Sequence, residues 1–166
     1  MKNTSEVRMI FKDGEIEGVE VRELKRFTDG RGWLMELFRS DELEAEYFPA
    51  MTYISMTRPG IARGPHEHVD QADYFCFAGP SDFRVYLWDN RQGSPTYRTR
   101  QVFVAGQSAP MAVIVPRGVV HAYKNMGTVD GLVINCPNRL FKGEGKKEPV
   151  DEIRHEDVEG SPYGLD

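Results

Sequence analysis

The chain has 166 residues, of which 40% are hydrophobic and 11% aromatic, a composition typical of a folded globular protein. This length is compatible with one domain that buries a substantial core. The formal net charge is −5 at pH 7 and no basic stripe runs along the chain, so nucleic-acid binding is not expected. The two cysteines, Cys76 and Cys136, lie in apolar segments and are expected to be buried, reduced thiols.

Short extended segments separated by glycine, proline and aspartate turns predict an all-β fold of the sandwich or barrel type. We expect strands at 19–24, 33–38, 53–57, 72–77, 83–88, 101–104, 112–115, 121–124 and 131–136. A Gly-rich turn is expected at 27–32. Ser40 is placed to cap a helical turn that runs to Glu46, with acidic residues in its first turn.

The two ends of the chain differ from its middle. Residues 142–149 are charged and glycine-rich, which predicts an exposed, solvated loop. Residues 149–157 are expected to add a short strand or turn, and 161–166 to fray. Met1–Glu6 lacks the apolar core of a secretory signal, and no stretch reaches the length of a membrane span. We therefore expect a cytoplasmic protein that does not contact a membrane.

Three of the four histidines lie in two short signatures. These read Gly60-x5-His66-x-His68-x4-Asp73-x5-Gly79 and Pro116-x-Gly118-x2-His121-x3-Asn125. Because side chains alternate between the faces of a β-strand, His66 and His68 share one face. A third histidine and a carboxylate from elsewhere would complete a four-ligand metal site. The alternative is that these histidines only form hydrogen bonds within a polar cavity.

The two signatures resemble the motif pair of the cupin superfamily, with an aspartate where cupins usually have glutamate and one residue fewer before the last glycine. The resemblance implies a double-stranded β-helix, or jelly-roll barrel, with a short helical turn and an extended C-terminal tail. It also implies a divalent metal, with Zn, Fe, Mn and Ni all suited to the ligands. The ligands that it implies are His66, His68, Asp73 and His121. Gln71 or Asp70 is the fallback for the fourth position.

A second resemblance, in consistent order over about residues 18–137, is to the dTDP-4-dehydrorhamnose 3,5-epimerases. It is carried by Phe27-Thr28-Asp29-Gly30-Arg31-Gly32-Trp33-Leu34-Met35-Glu36, Ser55-x-Thr57-x-x-Gly60-x-x-Arg63-Gly64-x-His66, Trp88-Asp89-Asn90-Arg91-x-x-Ser94-Pro95-Thr96-Tyr97 and Val115-Pro116-x-Gly118-x-x-His121. The resemblance implies a homodimer that takes a nucleotide sugar in polysaccharide biosynthesis. We expect one domain over 1–166, with N-terminal strands at 14–39, the barrel at 50–137 and the tail at 138–166.

The epimerase resemblance also implies roles for individual residues. These enzymes remove protons next to the C4 ketone of the sugar, which requires a base, a group that stabilises the enolate oxygen, and an acid. His66 matches the family's base, Arg63 its substrate-binding arginine and His121 its second pocket histidine. Arg31 and Glu36 match residues that contact the nucleotide.

Three catalytic residues of that family have no clear counterpart. There is no lysine near 72–73, no tyrosine at 138–140, and no evident C-terminal aspartate to pair with the base. A metal could polarise the keto oxygen in place of the lysine. A histidine that binds metal cannot also be a free base, so another group would then move protons. Tyr123, two residues beyond His121 on the same face, is the first candidate, and Tyr53 is another.

The leading hypothesis is a cupin related to the nucleotide-sugar 3,5-epimerases, which acts on or binds a keto-sugar nucleotide in a central pocket, most simply as an isomerase. One alternative is a metal-dependent cupin enzyme of another class, such as a dioxygenase or a metal-assisted isomerase. The other is a sugar-binding cupin without catalytic activity. Redox-active iron would favour the first alternative, and the three missing residues favour the second.

Overall fold

The structure is a computed structural model that describes residues 9–166, so Met1–Glu6, from which the absence of a secretory signal was predicted, lies outside it. The strands are β1 (Lys12–Asp13), β2 (Glu20–Glu23), β3 (Arg26–Asp29), β4 (Gly32–Met35), β5 (Tyr53–Thr57), β6 (Ala62–Glu67), β7 (Asp73–Phe77), β8 (Asp82–Asp89), β9 (Thr99–Gly106), β10 (Met111–Val115), β11 (Val119–Asn125), β12 (Gly131–Asn135) and β13 (Ile153–Arg154). Within the described residues, the only helical segments are two 3₁₀ turns, Ala45–Tyr47 and Glu144–Lys146. Neither is long and apolar enough to cross a bilayer. The predicted all-β class is confirmed.

Most of the strands belong to two sheets that pack face to face. One sheet has the order β1-β9-β8-β11-β6-β13 and the other has the order β2-β10-β7-β12-β5, while β3 and β4 form a separate hairpin. All neighbouring strands are antiparallel except β1 and β9. From β5 to β8, and again from β9 to β12, the chain alternates between the two sheets. This alternation is the jelly-roll arrangement that the cupin resemblance implies.

The main core lies between the two sheets, where the inward faces of their strands meet. Phe77 and Val113 come from one sheet, and Phe83, Leu87 and Val119 from the other, and none of them is more than 1% exposed. Burying each side chain of this size contributes about 1.5–3 kcal/mol to folding. This core keeps the strands that carry the histidines in fixed positions.

A second cluster covers the outer face of the five-stranded sheet. Tyr74 and Cys76 pack there with Leu24, Leu43 and Cys136. Both cysteines are free and buried, which confirms the prediction for them.

The segment around Ser40 corrects one prediction, because the expected helical turn at 40–46 does not form. The only helical residues in this region are the 3₁₀ turn Ala45–Tyr47, which is preceded by Glu44 and has no side-chain cap. The acidic residues that suggested a helix N-terminus instead surround Arg39, which pairs with Asp41 at 2.8 Å. The expected Gly-rich turn is shorter than predicted, because β3 extends to Asp29.

The C-terminal end is ordered rather than frayed, which corrects a second prediction. Tyr163 is 5% exposed and packs against Trp88, with ring centroids 5.6 Å apart. The main-chain oxygen of Asp166 accepts a hydrogen bond from the Tyr86 hydroxyl at 3.1 Å. The tail therefore covers an aromatic patch on the outer face of the six-stranded sheet, and this burial fixes its end.

Candidate functional site

Paired strands bring the three predicted histidines together. His66 on β6 lies opposite His121 on β11, and their ring centroids are 4.5 Å apart. Gly64 has a φ of +79°, and a Cβ at this position would collide with the carbonyl oxygen of His121. Only glycine allows so close an approach here. His68 follows β6, and the ligand nitrogens of the three histidines all lie within 4.8 Å of one another.

Asp73 reaches the histidines from the opposite sheet, because β7 lies in the five-stranded sheet and β6 in the six-stranded sheet. Its Oδ2 atom lies 3.2 Å from Nε2 of His68 and 3.3 Å from Nε2 of His121. Its Oδ1 atom accepts hydrogen bonds from the side-chain amides of Gln71, at 2.9 Å, and Asn135, at 2.8 Å. Asp73 is 2% exposed. The carboxylate is thus fixed by two neutral amides on one side and faces two imidazoles on the other.

Main-chain carbonyls set the orientation of two of the imidazoles. Nδ1 of His68 contacts the carbonyl oxygen of Asp151, and Nδ1 of His121 contacts that of Val119 at 3.0 Å. A carbonyl oxygen can only accept, so each Nδ1 carries a proton, and in a neutral ring Nε2 then holds a lone pair. Nε2 of His121 is buried and lies 3.3 Å from Oδ2 of Asp73.

The surroundings shift the pKa values of this cluster in different directions. Burial, followed by repulsion from the neighbouring imidazoles, lowers the pKa of His66 to about 2. Burial also lowers the pKa of His68, but the carboxylate of Asp73 outweighs it and raises this pKa to about 9. Burial raises the pKa of Asp73, but the two imidazoles lower it by more. The pKa of Asp73 therefore lies well below its usual range. At neutral pH His66 is therefore neutral, His68 is protonated and Asp73 is ionised.

A cavity of about 910 Å³ lies against the cluster and is lined by residues of both sheets. This volume is within the range of small-molecule sites. His66 and His68 form part of its wall, together with Tyr53, Ser55 and Tyr123. The Tyr123 hydroxyl lies 3.0 Å from Oγ of Ser55. Burial raises the pKa of Tyr123 and raises that of Tyr53 to about 12, so both hydroxyls keep their protons at neutral pH.

Three cationic side chains also line the cavity, namely Arg63, Lys146 and Arg154, and Arg154 is paired with carboxylates of the tail. Nε of Arg63 donates to Oγ1 of Thr57 at 3.0 Å, and Nη2 donates to the carbonyl of Met56 at 2.8 Å. These partners are neutral and fix the guanidinium without cancelling its charge. Lys146 belongs to the predicted loop at 142–149, which is exposed as expected, but its side chain borders the cavity as well. From the sequence, this loop was expected to be only a solvated segment.

The C-terminal tail is held against the site by specific contacts. The carboxylate of Asp151 accepts hydrogen bonds from the main-chain N–H groups of Val69 at 2.8 Å, and of Asp70 and Gln71 at 2.9 Å. Strand β13 follows at once and pairs with β6 beside His66. The short strand or turn predicted at 149–157 is therefore present, and it is an edge strand of the sheet that carries the histidines.

The tail supplies carboxylates that sequence reasoning missed. Oε1 of Glu152 and Oε1 of Glu156 lie 3.9 Å and 3.7 Å from Nδ1 of His66. Nδ1 of His66 and Oε2 of Glu156 are both buried without a hydrogen-bond partner. The sequence shows no clear counterpart of the C-terminal aspartate that pairs with the base, but these two glutamates lie beside His66, although both are distant from it along the chain. The predicted strand at 149–157 was the one signal that this acidic segment returns to the sheets.

Two predicted substrate-binding residues do not line this cavity. Arg31 lies at the tip of the β3–β4 hairpin, where its side chain is 91% exposed and pairs with Asp29. Glu36 lines a separate, smaller groove beside that hairpin. The fallback ligand Asp70 also lies apart from the histidines, with its carboxylate 3.9 Å from Arg117.

Two kinds of sequence comparison indicate the same class of protein. The sequence model of the dTDP-4-dehydrorhamnose 3,5-epimerase family matches residues 13–146. The chain is 39% identical over 135 residues to the "probable low-salt glycan biosynthesis epimerase" of Haloferax volcanii, and the match covers 80% of this chain and 85% of that protein. It is 35% identical over 112 residues to the spore coat polysaccharide biosynthesis protein SpsL of Bacillus subtilis, covering 68% and 73% of the two chains.

Solved structures support the same fold. A dTDP sugar isomerase from Desulfovibrio desulfuricans superposes with a TM-score of 0.73 at 21% identity, over 84% of each chain. A 3'-monoepimerase from Streptomyces bikiniensis, solved in complex with dTDP-quinovose, superposes with a TM-score of 0.72 at 22% identity, over 87% of this chain and 72% of that one. At these identities the similarity establishes the architecture.

Proposed function

Because the chain belongs to the dTDP-4-dehydrorhamnose 3,5-epimerase family, we propose that it is an isomerase of glycan biosynthesis that inverts a carbon next to the ketone of a nucleotide-linked keto sugar. The observation that carries the proposal is the position of His66, which lines the cavity and has two tail carboxylates near its Nδ1 atom. The names of the two relatives place them in glycan and polysaccharide synthesis, and the Streptomyces bikiniensis enzyme binds a dTDP-sugar.

His66 has the properties that removal of a proton from carbon requires. It is neutral because burial lowers its pKa, so a lone pair is available at the cavity wall. When it takes a proton, the ring becomes positively charged at a distance of 3.7–3.9 Å from the carboxylates of Glu152 and Glu156. Such a carboxylate orients the imidazole and stabilises the imidazolium as it forms. These acids act in the place of the C-terminal aspartate for which the sequence shows no counterpart.

Tyr123 is the group that we assign to return a proton. Inversion requires that the carbanion be protonated from the face opposite to the base. The Tyr123 hydroxyl lines the same cavity, keeps its proton because burial raises its pKa, and is oriented by Ser55. Tyr53, which is 46% exposed, is the alternative donor.

Arg63 and Lys146 suit the anionic part of a nucleotide sugar. A guanidinium can bind phosphate oxygens in a bidentate manner, and a lysine near the mouth adds a flexible charge. Because Arg63 is fixed by neutral partners, its charge remains available to a ligand. We therefore place the diphosphate near these two cations and the sugar ring beside His66.

Binding of nucleotide sugars tests this proposal directly. The protein is titrated with dTDP, UDP and GDP sugars, and thermal unfolding and calorimetry are recorded. A ligand at one hundred times its dissociation constant stabilises the folded state by about 2.7 kcal/mol. We expect such a shift with at least one of them and a weaker one in Arg63→Ala. Arg58→Ala, a change at a neighbouring exposed arginine, is the control. No shift with any nucleotide or nucleotide sugar would contradict the proposal.

A further inference from the structure

We propose that His155 and Glu67 form a positioning pair that holds the tail carboxylates in place beside His66. Under the proposed function these carboxylates, on Glu152 and Glu156, stabilise the imidazolium, and the role of the pair rests on that function. Nε2 of His155 lies 2.8 Å from Oε1 of Glu67. A carboxylate oxygen accepts, so the imidazole N–H donates to it.

The pair has a defined geometry because Glu67 is enclosed by donors. Its side chain is 8% exposed, and the side-chain amide of Asn90 donates to the same oxygen at 2.8 Å. The side chain of His155 is 17% exposed and its ring packs against Tyr163, with centroids 4.6 Å apart. A buried carboxylate requires partners of this kind, so His155 cannot leave without exposing an unpaired acceptor.

The pair lies on the face of β6 that is turned away from the cavity. Glu67 follows His66 on this strand, and successive side chains point to opposite faces. His66 lines the cavity, whereas neither Glu67 nor His155, both within the described residues, is part of its wall. The pair does not touch a ligand in the cavity, so its effect on the reaction passes through the residues that it holds.

The residues that the pair holds are the chain neighbours of His155. The main-chain N–H groups of His155 and Glu156 both donate to the carbonyl oxygen of Pro65, at 2.9 and 3.0 Å. Arg154 lies opposite His66 in the pairing of β13 with β6, and both Arg154 and Glu156 line the cavity. One side chain anchored on the outer face thus lies between two that reach the cavity. Fixing His155 therefore confines Glu156 to its place, 3.7 Å from Nδ1 of His66.

The acidic segment depends on side-chain anchors, because its strand is short. Strand β13 has two residues and lies at the edge of its sheet, so its ladder hydrogen bonds alone hold it weakly. Asp151 anchors the segment before Glu152, through the N–H groups of 69–71. His155 is the anchor after Glu152 and directly before Glu156. Since a misplacement of about 1 Å at a catalytic group can cost about a hundredfold in rate, loss of this anchor should slow the reaction.

Substitution of His155 tests the proposed role. His155→Leu removes the hydrogen bond, whereas the amide of His155→Gln can still donate to Glu67. We expect turnover of a dTDP-4-keto-6-deoxy sugar to fall at least about tenfold in His155→Leu and to be largely retained in His155→Gln. The dissociation constant for dTDP should stay close to that of the wild type, because the pair does not line the cavity. Val158→Ala, at an exposed position on the same tail, is the matched control.

A background without the two glutamates shows whether His155 acts through them. In a protein that carries Glu152→Gln and Glu156→Gln, adding His155→Leu should lower turnover no further. Hydrogen exchange, followed by mass spectrometry, gives a second readout that needs no substrate. The N–H groups of residues 155 and 156, which are bonded to Pro65, should exchange at least about tenfold faster in His155→Leu than in His155→Gln.

Three results would overturn the inference. Equal turnover of folded His155→Leu and His155→Gln would show that the pair does not position the carboxylates. A further loss in the background without the glutamates would mean that His155 acts through other residues. Unchanged hydrogen exchange in His155→Leu would mean that the pair does not hold the segment.

Failure of the proposed function has a different signature. A wild type that neither binds dTDP nor turns over the keto sugar would contradict that function, and hydrogen exchange would still decide whether the pair holds the segment. Circular dichroism checks the folding of each variant. If His155→Leu does not fold, His155→Asn replaces it, because its amide is too short to reach Glu67.

Discussion

At the scale of single residues, the proposed proton abstraction depends on the pairing of His66 with acids from a distant part of the chain. Glu156 approaches Nδ1 of His66 to 3.7 Å, and its other oxygen is buried without a hydrogen-bond partner. The carboxylate also pairs with Arg154 at 3.1 Å, which holds it in place. A negative charge at this distance favours the protonated imidazole that forms during proton abstraction.

Glu156→Gln keeps the shape of this side chain and removes its charge. We expect the turnover number for a keto-sugar nucleotide to fall at least about tenfold, because the imidazolium loses a stabilising partner. The Michaelis constant shows separately whether this carboxylate also contacts the substrate, because Glu156 itself lines the cavity. Steady-state kinetics on Glu156→Gln and on the exposed control Glu159→Gln measure this. Equal activity of the two variants would remove Glu156 from the mechanism.

Asp89 illustrates a buried charge that stabilises the fold rather than acting on a ligand. Its side chain is fully buried and accepts hydrogen bonds from Nε and Nη2 of Arg91 at 2.8 and 2.9 Å, and from the hydroxyls of Ser94 and Thr96 at 2.6 Å. Burial raises the pKa of Asp89, but these donors outweigh it and lower the pKa to about 2. In the unfolded chain an aspartate titrates near about 3.9.

Because the folded pKa is the lower one, this carboxylate contributes stability above pH 4 that is lost as the pH falls from about 4 towards 2. Asp89→Asn should lower the free energy of unfolding at pH 7 by about 1–3 kcal/mol, since donors are left without an ionised acceptor. The difference between wild type and variant should shrink below pH 4. Urea unfolding between pH 7 and 2.5 measures both, and a difference independent of pH would show that the charge is not the cause.

At the scale of elements, the C-terminal tail joins the fold to the site. Asp151, β13 and Tyr163 hold it against the sheets, with Tyr163 packed against His155 and Trp88, and the main chain of Asp166 accepts a hydrogen bond from Tyr86. The same segment carries both carboxylates that face His66. Loosening the end of the tail should therefore affect stability and activity together.

Tyr163→Ala is predicted to lower the free energy of unfolding by about 3 kcal/mol, because it leaves a cavity in the aromatic cluster. Chemical denaturation measures this, and Val158→Ala, at an exposed position on the same tail, is the control. Turnover should fall as well, since the carboxylates behind His66 lose their anchor. Unchanged stability would show that the end of the tail does not hold the segment in place.

The β-strands could be predicted from sequence more completely than the site. Short apolar runs bounded by turn residues locate β5 and β7–β12, because a strand that buries one or both faces needs apolar side chains whatever its partners are. The His-x-His spacing places His66 and His68 together for the same local reason. Glu152 and Glu156 could not be predicted from the sequence as partners of His66. About ninety residues separate them from it, and no local pattern indicates that β13 pairs with β6. The helical turn predicted at 40–46 does not form, because the local acidic side chains surround Arg39 instead of a helix N-terminus.

At the scale of the whole molecule, the exposed apolar surface is consistent with the homodimer that the family resemblance implies. Trp33 and Leu34 on the β3–β4 hairpin are 57% and 62% exposed. Ile54 and Met56 on β5, an edge strand, are 60% and 45% exposed. Open strand edges and apolar patches of this kind usually mark an interface.

We expect the protein to be a dimer in solution and Leu34→Asp to shift it towards a monomer, since a buried unpaired charge opposes association. Light scattering after size-exclusion chromatography gives the mass. Val129→Asp, which adds the same charge at an exposed valine outside the β3–β4 hairpin and β5, should leave the dimer intact. A monomeric wild type at micromolar concentration would contradict this expectation.

The proposed reaction begins with removal of a proton next to a ketone, and solvent exchange measures this step directly. The protein is incubated in D₂O with a dTDP-4-keto-6-deoxy sugar, and NMR follows deuterium at C3 and C5. We predict incorporation at one or both carbons by the wild type and its loss in His66→Gln. Tyr123→Phe should still exchange but form less of the inverted product. If the wild type binds the sugar but exchanges no deuterium, the proposed proton abstraction is contradicted.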